Sequence, residues 1–110
     1  MLTFIELDPA TAARAFGSAY FNLIRRGADG SLTLSQDHWR LSDEGARADA
    51  FRFVARDEAA PELVVDFADV KRIVWDRLPR QRIRSQIRFH FANADVWTFS
   101  GAVDLAAIEG

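Results

Sequence analysis

The chain has 110 residues and carries 14 basic against 16 acidic side chains, a formal charge of −2 at neutral pH. That length accommodates one hydrophobic core and one domain over residues 1–110, and 49% hydrophobic residues with only 6 Gly and 3 Pro exclude linker-like and collagen-like chains. The absence of Cys excludes disulfides, thiolate nucleophiles and Cys-ligated metals, and the near-balanced charge excludes a strongly basic polyanion binder.

Residues 1–8 show neither a basic stretch nor an apolar core of the secretory kind, and no apolar run approaches the roughly 20 residues of a membrane helix. The expectation is a soluble, cytoplasmic protein with no membrane span. Charge is distributed in blocks. Residues 42–69 hold eight carboxylates against three arginines, whereas residues 71–90 hold seven cations against Asp76 alone. Thirteen of the fourteen cations are Arg, whose planar fork suits internal carboxylates and external phosphates equally, so residue choice does not separate ion pairing from anion binding.

In chain order, Asp8-Pro9 predicts a helix start, with Asp as N-cap and Pro at the first helical position. Ala10, Ala12, Ala13 and Ala15 favour helix to about residue 16, where Gly17-Ser18 interrupts the apolar stripe. Residues 19–25 then read as strand, with continued helix as the alternative, before a turn at Gly27-Ala28-Asp29-Gly30. Residues 31–35 and 38–42 both alternate polar and apolar, which predicts a hairpin turning at Gln36-Asp37, followed by a solvent loop over 42–50. Residues 51–56 and 62–67 predict two further strands, and 71–77 another, with helix as the alternative over 69–78.

The clearest pattern runs over residues 80–91. Ile83, Ser85, Ile87, Phe89 and Phe91 lie on one face of an extended strand, and Arg80, Arg82, Arg84, Gln86, Arg88 and His90 on the other. A one-residue slip would bury the arginines, so the register is strongly specified. Residues 92–95 turn the chain back through an aromatic strand at 96–100, and the last residues suffice for one turn of helix.

The arginine row is the most chemical feature. Alternate strand positions stand about 6.8 Å apart and would present a line of forks to an anion. The competing reading pairs Arg82, Arg84 and Arg88 with carboxylates such as Glu62 and Asp66 on neighbouring strands, each pair contributing about 0.2 to 1 kcal/mol. The acidic block just upstream favours this second reading. Arg80, Arg82, Arg84, Arg88 and His90 are therefore the candidates for anion or partner binding. Nucleic acid is disfavoured, because the aromatics alternate to the face opposite the cations. His38 and His90 stand without an HExxH pattern or a carboxylate triad, and neither a Gly-x-Ser-x-Gly elbow nor a phosphate loop is present. The expectation is surface histidines, no catalytic residue, no metal and no cofactor, with Trp39, Trp75, Trp97 and the nine Phe forming the core.

The stretch Gly30-Ser31-Leu32-Thr33-Leu34-Ser35-Gln36-Asp37-His38-Trp39-Arg40-Leu41 resembles the "G-x-L-x-L-T-x-x-R-L" opening of bacterial PH-like and GRAM-like domains, with Ser35 where Thr is usual. Residues 65–73 are similar to the family's strand, short turn and strand, and residues 96–101 to its aromatic last strand. The resemblance covers roughly residues 18–103 and implies a bent barrel closed by a C-terminal helix. Only residues 102–110 remain for such a helix, so the N-terminal helix is the substitute. The first hairpin lacks the Lys/Arg cluster of lipid-binding members. The resulting expectation is an α+β, mainly antiparallel β domain, a PH-like bent barrel of about seven strands with a short N-terminal helix. Its expected role is non-catalytic binding or assembly through protein contacts, including a homodimer paired through an exposed strand edge. The alternatives are binding of an anionic small molecule or lipid headgroup along the arginine row, and a small cavity enzyme or ligand-binding barrel with His38 or His90 inside a pocket.

Overall fold

The computed structural model describes residues 3–46, 49–57, 59–77 and 85–109. Strand β1 (Thr3–Leu7) leads into helix α1 (Pro9–Phe16). The Asp8 side chain accepts the Thr11 backbone N–H at 2.7 Å, Pro9 occupies the first turn, and Gly17 ends the helix at φ 56°, a conformation that favours glycine. Strands β2 (Phe21–Arg26), β3 (Leu32–Ala46), β4 (Ala50–Ala55) and β5 (Leu63–Asp66) follow. A 3₁₀ turn (Phe67–Asp69) then leads to β6 (Val70–Arg77), β7 (Ser85–Phe91), β8 (Val96–Gly101) and the short helix α2 (Leu105–Glu109). The two ambiguous stretches are thus strands β2 and β6.

All eight strands join one antiparallel sheet in the order β1-β6-β7-β8-β2-β3-β4-β5. Ring contacts show how far it curls. Phe51 on β4 stacks on Phe89 of β7 at 5.2 Å, although the two strands lie four places apart, about 19 Å in a flat sheet. Phe53 similarly stacks on Phe99 of β8 at 4.7 Å. The concave side is filled by α1. Ala12 and Ala15 are wholly buried and let the helix lie close, and the ring of Phe16 meets Phe21, Phe53 and Phe99 edge-on with centroids 5.1 to 5.2 Å away. The chain beyond β8 ties back to the helix where the Asp104 N–H donates to the Ala15 carbonyl at 2.8 Å. Gly101 permits the closest approach on that side, since a Cβ there would stand 2.7 Å from the Phe21 ring.

The architecture corrects several expectations. The described residues form eight strands rather than about seven, because Thr3–Leu7 pairs with β6 along its whole length, a partnership that five residues with adjacent apolar Phe4 and Ile5 do not announce. The hairpin at Gln36-Asp37 does not form. Residues 32–46 make one long strand, and two extra residues between Leu34 and His38 are absorbed as a bulge against β2. Pairing with β2 on one side and β4 on the other holds the strand continuous, so the predicted loop over 42–50 is strand as far as Ala46. Nor does the sheet close into a barrel. Among the described residues no ladder joins β5 to β1. No helix among the described residues is long and apolar enough to cross a membrane.

Candidate functional site

Because Trp75, Ile87, Phe89, Phe99 and Leu23 point into the concave core, their alternate neighbours Arg72, Asp76, Arg88, His90 and Ile24 emerge on the convex face. Of the predicted cation row, Arg88 and His90 occupy that face on β7 as expected, and Arg80, Arg82 and Arg84 lie outside the described residues. The expected ion partners differ. Arg88 Nη2 stands 3.7 Å from Asp76 Oδ2 across the β6–β7 ladder, whereas Glu62 accepts from Arg52 Nη1 at 3.0 Å. Strand order explains the exchange. Asp76 stands on β6, the strand paired with β7, and shares the convex face with Arg88, whereas Glu62 precedes β5 and faces Arg52 of β4.

Around Arg88 the polar groups are tightly held and incompletely matched. The Asp76 side chain is only 14% exposed, and Asp76 Oδ1, Arg88 Nε and His90 Nε2 are buried without a hydrogen-bond partner among the described residues. His90 lies opposite Arg72, which reaches Glu6 on β1 at 3.9 Å. Burial, then the charges of Arg72 and Arg88, hold the His90 imidazole below its ordinary pKa of about 6.5. His38 lies on the same convex face, opposite Asn22, and β8 and β2 separate it from His90. Among the described residues no three His, Asp or Glu side chains converge as a metal site.

A feature that the sequence pattern did not single out lies on β2 and β3. Ile24 stands directly opposite Leu34, and Leu32 follows two residues along on the same face. Their exposures are 37%, 71% and 59%. Among the described residues this part of β3 has β2 on one side only, because pairing with β4 ends where the Arg56 N–H donates to the His38 carbonyl. Among those residues, Leu32, Thr33 and Leu34 therefore present an open backbone edge beside an exposed aliphatic strip. Alternation over residues 31–35 announces a strand with both leucines on one face. It does not announce that this face is the convex one.

Two further clefts open among the described residues. One, of about 400 Å³, is lined by Tyr20, Arg40, Val54, Ala55, Arg56, Ala60 and Glu62. The Arg56 and Arg40 guanidiniums stand 4.7 Å and 5.9 Å from the centroid of the Tyr20 ring. The other, of about 380 Å³, sets Phe91 and Trp97 beside Asp66, Asp69 and Asp95. Asp95 is committed to structure there, its Oδ1 accepting the Ala28 N–H at 3.0 Å and its Oδ2 the Asn93 amide at 3.2 Å. Comparison with family models, with curated proteins and with solved structures finds no match for the chain.

Proposed function

We propose that the chain is a non-catalytic assembly module of PH-like character that binds a second copy of itself through the open edge of β3. The supporting observation is the coincidence, over residues 32–34, of a strand edge with no ladder partner among the described residues and the strip formed by Leu32, Leu34 and Ile24. Strand edges are ordinarily guarded against self-pairing by charge, proline or bulges. The sequence Ser31-Leu32-Thr33-Leu34-Ser35 contains neither charge nor proline. The two outer edges differ in this respect, since β1 carries Glu6 and β5 carries Asp66. Antiparallel pairing of β3 with its own copy about a two-fold axis would set uncharged residues against uncharged residues and cover the leucines of both copies. The filled concave side and the placement of both imidazoles on the convex face favour this role over a cavity enzyme. The PH-like part of the reading draws on α1 filling the interior, the role that the sequence resemblance gives to a closing helix.

Light scattering over a concentration series tests it. A dimer is expected at about 100 µM chain, and Leu34→Lys, which places a charge on the edge without touching the core, is expected to weaken it at least about tenfold. Phe4→Ser, on the β1 edge, should leave the dimer intact. A monomer at every concentration, or a dimer lost with Phe4→Ser and kept with Leu34→Lys, would overturn the proposal.

A further inference from the structure

A second feature, independent of the β3 edge, is the cleft around Tyr20. Tyr20 precedes β2, Arg40 stands on β3 opposite Val54 of β4, and Arg56 follows the last residue of β4. The fold thus brings two guanidiniums from different strands onto one aromatic ring, at 4.7 Å and 5.9 Å. A guanidinium held over a ring by its flat face can still donate from its N–H edge to an oxyanion, and Arg56 is the one of the two offered for this. Arg56 is exposed and has no carboxylate within ion-pair distance among the described residues. Arg40 spends one N–H on the Leu41 carbonyl at 3.2 Å. Among the described residues Glu62 is the one carboxylate lining the cleft, and it is engaged by Arg52 at 3.0 Å. Between these groups, Val54, Ala55 and Ala60 supply apolar wall in a volume of about 400 Å³, which suits a small ligand.

We infer that this cleft binds a compact oxyanion, a carboxylate or phosphate monoester on a short apolar body, with Arg56 as its principal anchor and Tyr20 holding the guanidinium in place. The ligand's charged head meets the N–H edge of Arg56, and its body lies against Val54 and Ala60. Because neither Leu34 nor Ile24 takes part, failure of this site and failure of the dimer are separate results.

The test is an amide-resonance titration of the full chain with phenyl phosphate and, separately, benzoate, beside vesicles containing phosphatidic acid. Saturable shifts centred on Tyr20, Arg40 and Arg56 are expected with at least one soluble probe, with affinity falling as salt is raised. Arg56→Gln should lower that affinity by about tenfold or more, and Tyr20→Leu should lower it as well, both with unchanged circular dichroism. Arg14→Gln, on the exposed side of α1, should change it less than about twofold, which controls for net charge. Absence of saturable shifts, equal losses with Arg14→Gln and Arg56→Gln, or binding confined to the vesicles would each overturn the inference.

Discussion

His90 combines features that the alternation of its strand announces and others that only its neighbours create. Its place on the polar side of β7 follows from the buried sequence Ile87, Phe89 around it. Its depressed pKa does not, because the burial and the Arg72 charge arrive from the packed face and from β6. The consequence for stability has a definite sign. An imidazole disfavoured as a cation in the folded protein binds fewer protons than in the unfolded chain, so acidification favours unfolding. The loss begins as pH falls through the ordinary imidazole value of about 6.5 and is complete once pH lies below the depressed folded value. A proton titration of His90 followed by NMR should therefore give a midpoint below that of an unstructured His peptide. Denaturation of His90→Gln should show a shallower loss of stability than the parent chain between about pH 7 and pH 5. Equal pH slopes in the two proteins would contradict the assignment.

Among the elements, the β7–β8 hairpin shows how a turn can be placed correctly and built unexpectedly. Residues 92–95 read as a turn from composition, and the chain does reverse there, with the Phe91 N–H donating to the Asp95 carbonyl at 2.9 Å. The left-handed position falls on Ala94, at φ 75°, rather than on its neighbour Asn93. Asn93 is used otherwise, its Oδ1 accepting the Asp95 N–H at 2.9 Å. An alanine in this conformation brings its Cβ against the following carbonyl, a cost that glycine escapes. Ala94→Gly is accordingly expected to raise stability by about 0.5 to 1 kcal/mol, measured as an upward shift of the urea midpoint at constant slope. The bulge in β3 illustrates the opposite case. Two alternating runs separated by Gln36-Asp37 have the pattern of a hairpin, yet β2 and β4 pair along them as one strand. Local pattern specifies strand and face, whereas the choice between turning and bulging belongs to the neighbouring strands.

For the molecule as a whole, the decisive side chain is Phe16. It is 1% exposed, and its ring meets Phe21, Phe51, Phe53, Phe89 and Phe99, which come from strands β2, β4, β7 and β8. Removing it would leave a cavity bounded by both halves of the curled sheet. Phe16→Ala is expected to cost about 3 to 5 kcal/mol in chemical denaturation, a large share of the stability of a domain this size, without altering the strand order of the protein that remains folded. A cost below about 1 kcal/mol would mean that α1 is not the plug of the fold. The amino-acid sequence by itself determined the α+β class, the capped helix after Asp8, most strand positions and the two-faced character of β7. Each of these rests on local propensity or on a two-residue period that neighbouring side chains repeat. The open, eight-stranded order, the exchange of Glu62 for Asp76 as the partner of Arg88, the exposed leucines on β3 and the convergence of Arg40 and Arg56 on Tyr20 were decided only by tertiary structure. They depend on which strands become neighbours and which face turns outward, and those choices are set by long-range packing of the aromatic core around Phe16.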